Sequence, residues 1–392
     1  MTKGIVRKPS GLEAFFIDLD ACGCNMTFHY FLKLDREPCL DQMNVVLQKA
    51  LETHKGINLK FAKNRWCKSD YTPQCIVKLM DTDDVYTCSV SRLDFRRNTV
   101  DLNVLHHEEK DLWYLCFDFF HGAVDGRSGL QFIYDFFHIL NGDYTAVNNF
   151  RLRDVDIVGD KETPRIRSKK TRIPLFPKCN PKNWIPRQSG ENKTIVLKSN
   201  NCIKSSAAKL AGAVAQCFTS KSARMIIPVD IRRYAKRTGE FLFGNLIAPI
   251  FVDANTVRKI EDVRTEILEF VKQKPLLSAI VSKLDIYSKI PPKLRQLVIS
   301  FLLPLVMKCR RFICCALVSP IGLIDNAQLE NSSFKVEDIA VTFIAFPFTA
   351  FTVTSVQFNG HTNTTIAWHS GRVPKQTVSQ LIENIDHCIC EN

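Results

Sequence analysis

A chain of 392 residues is too long for one ordinary core and suits two domains of similar size. With 45% hydrophobic and 24% charged residues it has the balance of a soluble globular protein, and a core this large needs no disulfide or metal staple. The net charge of +13 favours anionic partners, but the basic residues are scattered and no nucleic-acid motif surrounds the densest run, Arg165 to Arg172, so nucleic acid is not expected.

The N-terminal residues MTKGIVRKPSGLEAFF lack the apolar stretch of a signal peptide. An apolar segment, Ala14 to Ile17, opens the chain. The aromatic content of Phe28 to Leu34 predicts a strand. Asp41 is expected to cap a helix whose apolar face carries Met43, Leu47, Ala50 and Leu51. Strand-like pieces follow near Cys75 to Leu79, Tyr86 to Val90 and Leu112 to Phe119. His106 and His107, before Glu108 and Glu109, read as a polar turn ahead of the last of these. After Gly126 the period changes. Leu130, Ile133, Phe137 and Leu140 form a helical stripe, which Asn141 and Gly142 stop. The segment His121-Gly122-Ala123-Val124-Asp125-Gly126 therefore stands where a buried strand turns into a helix.

From about Asp154 to Lys193, prolines interleave with many basic residues, as in an inter-domain linker. The expected organisation is an N-terminal unit over 1–160, a basic Pro-rich linker over 161–193 and a C-terminal unit over 194–392. In the second unit, strands are predicted at Thr194 to Leu197 and Ala223 to Val229, and helices at Ile203 to Phe218 and Val257 to Lys272. Alternating strands run from Ile339 to Trp368, and a final helix starts at Pro374. The longest apolar run, Leu297 to Met307, is too short to span a bilayer and reads as a buried core helix. Its basic flanks, Arg295, Lys308, Arg310 and Arg311, leave peripheral membrane contact as a second reading. Mixed strands and helices in both halves give an α/β or α+β class.

The fifteen cysteines are odd in number and lack CxxC pairs. They read as small core hydrophobes in a reducing, cytoplasmic setting, and no metal site is expected.

His121 is the candidate for chemistry. A general base needs a proton-accepting nitrogen within reach of the acceptor, at a pKa near working pH, and a fixed rotamer and tautomer. A strand end before a tight turn supplies the fixing, and Gly122 lets the chain bend and substrate approach. Asp125 could brace the turn through an ion pair without touching the imidazole. By spacing alone, a histidine after an apolar strand is more often a packed core residue. The other histidines, including His138 on the helix and His369 at a strand end, are given no catalytic role.

The segment CFDFFHGAVDGRSGLQFIYDFF resembles the HxxxDG core of the coenzyme A-dependent acyltransferase superfamily. MIIPVDIRRYAKRTGEFLFGNLIAPIFVDA resembles its "VDxR … FGN" segment, and CALVSPIGLI its "SNxG" strand. The blocks stand in the family's order, and the resemblance is closest to the alcohol acetyltransferase-like and condensation-domain-like branch. It implies two chloramphenicol-acetyltransferase-like subdomains, each a mixed sheet with flanking helices, and a tunnel between them. It implies His121 as general base and Asp125 as a structural acid paired with Arg232. Gly122, Gly126, Gly244, Asn245 and Ser319 would lie at or near the channel. The implied activity is transfer of an acyl group, acetyl being favoured, from acyl-coenzyme A as co-substrate to an alcohol or amine, with O-acylation preferred. No bound cofactor is implied, and a monomer suffices. Lys169, Lys170, Arg172 or the Arg232–Lys236 region would attract the phosphates of coenzyme A.

Three departures matter. Phe120 stands where condensation domains carry a first histidine. Pro320 stands where many relatives have asparagine. The DFGWG signature of plant acyltransferases is missing. A carrier-protein-dependent condensation or transfer enzyme and a non-catalytic binding relative are the competing readings.

Overall fold

The structure, a computed structural model, describes residues 5–390 except 55, 81, 83–84, 87–91, 144–151, 159–178, 182–189, 205, 220–222, 236–240, 255–258 and 309–310. Most of the expected linker, the strand expected beyond Tyr86, and Lys169, Lys170, Arg172 and Lys236 lie outside the described residues. The first half runs β1 (Ile5–Arg7), α1 (Gly11–Ala21), β2 (Thr27–Leu34), α2 (Leu40–Thr53), β3 (Leu59–Ala62), β4 (Arg65–Lys68), β5 (Ile76–Leu79), β6 (Val100–His107), β7 (Leu112–Phe120), α3 (Gly126–Leu140) and α4 (Asp154–Val158). The second half runs β8 (Asn192–Ser199), α5 (Ser206–Ala215), β9 (Ala223–Asp230), β10 (Ile247–Ala254), α6 (Ile260–Lys272), α7 (Lys274–Ser288), α8 (Pro292–Lys308), β11 (Cys314–Leu323), β12 (Val336–Phe343), β13 (Thr349–Phe358), β14 (His361–His369) and α9 (Lys375–Cys390).

Among the described residues three sheets result, ordered β12-β2-β7-β6-β5, β10-β9-β11-β13-β14-β8 and β1-β4-β3. β7 has neighbours on both sides and is buried over nearly its whole length, which is why its sequence is an almost continuous apolar run. On α2, Met43, Val46, Leu47, Ala50 and Leu51 are buried in one stripe. On α3, Leu130, Ile133, Phe136 and Phe137 do the same. Both stripes join the rings of β2 and β7 in one core. A second core lies around β9, β11 and β13 with α5, α7 and α9, and it includes Ile157 and Val158 of α4.

β12 belongs to the C-terminal half of the chain but pairs with β2 in the first sheet. Its outer edge is satisfied by side chains of the second sheet. Val341 O accepts from Thr354 Oγ1 at 3.1 Å and Thr365 Oγ1 at 2.7 Å, and Ile339 O accepts from Asn363 Nδ2 at 2.7 Å. Edge carbonyls that would otherwise be orphaned thus become the stitch between the first and second sheets.

α1 is anchored at both ends. Ser10 and Glu13 form a capping box, and Arg7 grips the Glu13 carboxylate with contacts of 2.6 and 2.5 Å. Further along, buried Asp18 accepts from Arg295 Nε and Tyr287 OH, each at 2.8 Å. Gly11 lets α1 lie directly on α7, since a Cβ there would stand 1.9 Å from Leu284 O. Gly11→Ala is therefore expected to destabilise the protein by about 1–3 kcal/mol through overpacking. A thermal melt matching wild type would show that α1 can shift away freely.

The apolar segment Ala14 to Ile17 lies inside α1, a helix buried nearly all round by its partners. Three local expectations are corrected. Cys39, not Asp41, is the cap position of α2, and Asp41 sits in its first turn. His106 and His107 end β6 rather than forming a turn, because the His106 ring stacks on Trp113 at 3.6 Å. The run from Leu297 is helical but not buried, since only its inward face packs and Leu297, Phe301 and Leu305 are exposed. Cys75, Cys116, Cys179, Cys217, Cys314 and Cys315 are buried.

Candidate active site

β7 delivers His121 to the end of the first sheet. The ladder continues one step past the strand, where His121 N donates to Met26 O at 2.8 Å. The chain then turns, with Ala123 N and Val124 N both donating to Phe120 O at 3.0 and 3.1 Å. The turn is too tight for a side chain at its second position. A Cβ on Gly122 would stand 2.3 Å from the buried Phe120 ring.

The His121 ring lies among phenylalanines. It stacks on Phe16 of α1 at 4.6 Å and meets Phe343 of β12 and Phe28 of β2 edge-on at 5.1 and 5.3 Å. Its Nδ1 is 3.2 Å from Val124 O. A carbonyl can only accept, so this contact requires the proton on Nδ1 and leaves the Nε2 lone pair free to accept one. Burial among the rings lowers the pKa of His121 from its usual value, and this outweighs the opposing pull of the Val124 carbonyl and the Asp125 charge. The imidazole is neutral at pH 7, with an accepting nitrogen.

Asp125 is oriented elsewhere. As N-cap of α3 it accepts from Ser128 N at 2.8 Å, and its second oxygen accepts from Leu246 N at 2.8 Å. Arg232 Nη2 reaches both oxygens, at 3.0 and 2.9 Å. The same nitrogen donates to Ser128 Oγ at 2.7 Å and Gly244 O at 3.1 Å. Arg232 Nε donates to Leu242 O at 2.6 Å, and Nη1 to Asp230 at 3.0 Å. The buried carboxylate is thus saturated by partners that tie α3 to the segment before β10. Asn245 adds a tie to the histidine, donating from Nδ2 to His121 O at 2.6 Å, while its buried Oδ1 has no hydrogen-bond partner among the described residues.

His121, Gly122, Asp125, Gly126, Arg232, Gly244 and Asn245 are brought together by the chain and these bonds. Ser319 is not joined to them. It is half-buried on β11, on the same strand face as Leu317, which packs against the first core. The pairing register of that strand with β13 shifts between Pro320 and Gly322. The Arg232 guanidinium faces Asp125 and Asp230, so it is committed inward rather than offered to a phosphate.

Several participants carried no short-range signal. Phe16, Phe28 and Phe343 come from three distant segments, and Leu246 contributes only a backbone N–H. Ser128 was the most legible of them, three residues after an aspartate cap. Tyr30, whose hydroxyl donates to Gly126 O at 2.6 Å, comes from the neighbouring strand.

One group among the described residues has metal-ligand spacing: atoms of His29, Cys116 and Asp118 lie within 4.8 Å of one another. They are already mutually satisfied, with His29 Nδ1 at 2.7 Å and Cys116 Sγ at 3.2 Å from Asp118 Oδ1, and Asn103 Nδ2 at 3.0 Å from Oδ2. Strand alternation puts His29 and Asp118 on the face opposite Phe28 and Phe119, away from His121.

No protein-family model and no curated sequence matches the chain. Solved structures do. The trichothecene 15-O-acetyltransferase of Fusarium sporotrichioides aligns at a TM-score of 0.65 with 11% identity, over 98% of this chain and 94% of that one. The condensation domain of the monacolin K polyketide synthase aligns at 0.64 with 10% identity, over 98% and 97%. The epimerization domain of the third module of tyrocidine synthetase B aligns at 0.62 with 12% identity, over 100% of both. The chain has the two-subdomain, chloramphenicol-acetyltransferase-like α/β fold.

Proposed function

We propose that the protein is an acyltransferase in which His121 is the general base. The carrying observation is the division of labour within the motif. Burial favours a neutral His121 and the Val124 carbonyl fixes its proton on Nδ1, which leaves Nε2 as the accepting nitrogen, while Asp125 is saturated and available only as a brace. In this reading an acceptor hydroxyl gives its proton to Nε2 as its oxygen attacks the thioester carbonyl. The tetrahedral intermediate collapses, the C–S bond breaks, and the departing thiolate takes the proton back from Nε2. The products are an ester and a free thiol, with no acyl-enzyme and no net change at His121. Alignment of the two substrates supplies much of the rate. The phenylalanines around His121 suit an apolar acceptor.

Acyl-coenzyme A is the proposed donor and an alcohol the proposed acceptor, with an amine acceptor as the close variant. A carrier-protein thioester is the second reading. The similarity to a condensation domain and an epimerization domain supports it, whereas Phe120 beside His121 speaks for free coenzyme A. The test is release of free thiol from acetyl-coenzyme A, and from the same acyl group on phosphopantetheine-loaded carrier protein, across a panel of alcohols and amines. Acceptor-dependent release from acetyl-coenzyme A supports the proposal. Release from the carrier alone selects the second reading, and release from neither donor sinks both.

A further inference from the structure

α8 presents an unusual surface. Leu294, Leu297, Val298, Phe301, Leu302 and Leu305 are all exposed, with Phe301 at 73% and Leu297 at 67%. They recur at intervals of three and four, so they form one continuous outward stripe. The opposite face is also committed. Ile299, Leu303 and Val306 are buried, and Arg295 is locked to Asp18 of α1 at 2.8 Å. A surface helix normally turns polar residues outward, and a contiguous apolar patch of this kind marks a binding face.

The charges around the stripe specify the occupant. α8 contains no acidic residue, and exposed Lys293 and Lys308 stand at its two ends. Exposed Lys289 precedes it and exposed Arg311 follows it. A second copy of this chain would fit poorly, because a two-fold pairing of α8 with itself brings basic ends together with no acid on the helix to offset them. No single described helix is long and apolar enough to cross a membrane, and the α7–α8 pair is bent by 104°. The inward anchor on Asp18 holds α8 against the protein with one face out, the geometry of a helix lying in the plane of a lipid surface.

We infer that α8 docks the protein on an anionic lipid surface, with the leucine and phenylalanine stripe in the acyl-chain boundary and Lys289, Lys293, Lys308 and Arg311 against the headgroups. The inference goes beyond the acyltransferase reading and does not depend on it. α8 also packs on α1, the helix that carries Phe16 to the His121 ring, so one helix separates the docking face from the aromatic site.

The test uses the full chain and co-sedimentation with vesicles of phosphatidylcholine alone or mixed with phosphatidylserine. Wild type is expected to pellet with the mixed vesicles and to be released by high salt. Leu297→Ser/Phe301→Ser should weaken partitioning at least about ten-fold with an unchanged melt, because both side chains are exposed. Lys293→Ala/Lys308→Ala should weaken it by about five-fold per charge, and it carries the test if the serine variant melts early. Wild type remaining in the supernatant with mixed vesicles, or pelleting that neither variant reduces, would overturn the inference. A dimer seen by light scattering and broken by the serine variant would overturn it too, assigning the face to a second copy.

Discussion

Replacing His121 with asparagine is expected to lower kcat by about 100- to 10,000-fold, the usual contribution of a positioned general base. Asparagine is the informative choice because its amide N–H can still donate to Val124 O, as Nδ1 does at 3.2 Å in the native protein. The ring and its basic Nε2 are lost while the donor to Val124 O is kept. Donor affinity should therefore stay close to wild type, and melting should fall only by the lost stack on Phe16, while turnover collapses. His121→Ala should match it in kcat but also leave Val124 O without its side-chain donor, so it should melt somewhat earlier still. A kcat within about three-fold of wild type in both variants would exclude His121 as the proton acceptor.

Arg232→Met is expected to be the most destabilising single change at the site. It strips the guanidinium from a carboxylate that is 1% exposed and leaves Asp125 with only the N–H groups of Ser128 and Leu246. Breaking a buried ion pair from one side costs about 3–5 kcal/mol, a fall in melting temperature on the order of 10 °C. The loss should couple to Asp125→Asn, because the two changes share one interaction. In a double-mutant cycle the combined loss should fall short of the sum by about 0.5–3 kcal/mol. Activity should drop as well, since Val124, immediately before Asp125, supplies the carbonyl that sets the His121 tautomer. Wild-type melting in Arg232→Met would show that Asp125 does not depend on the pair.

The strand–turn–helix around His121 was legible because both flanks are periodic. β7 is an unbroken apolar run, and α3 carries a stripe from Leu130 onward behind an aspartate cap. α1 was not legible. Its acids Glu13 and Asp18 are buried against Arg7 and Arg295, and Arg295 is 277 residues from Asp18, so the helix shows no polar face. α8 failed in the opposite sense. Its composition is that of a core helix, and whether such a helix is covered depends on partners that composition does not encode. His106 and His107 were misread because charge clusters usually mark turns, whereas here stacking on Trp113 keeps His106 in a strand. Within the site, the motif residues could be read off the sequence, but the rings that desolvate His121 come from α1, β2 and β12 and meet only in the fold.

The pH dependence of kcat/KM for acyl transfer tests the central claim most directly. If neutral His121 accepts the proton, activity is flat at and above neutral pH and falls as pH drops through a single ionisation. Burial sets that ionisation below the ordinary histidine value of about 6.5. In His121→Asn the residual activity should lose this limb. A wild-type profile whose acid limb persists unchanged in the variant would mean that another group takes the proton, and would contradict the account.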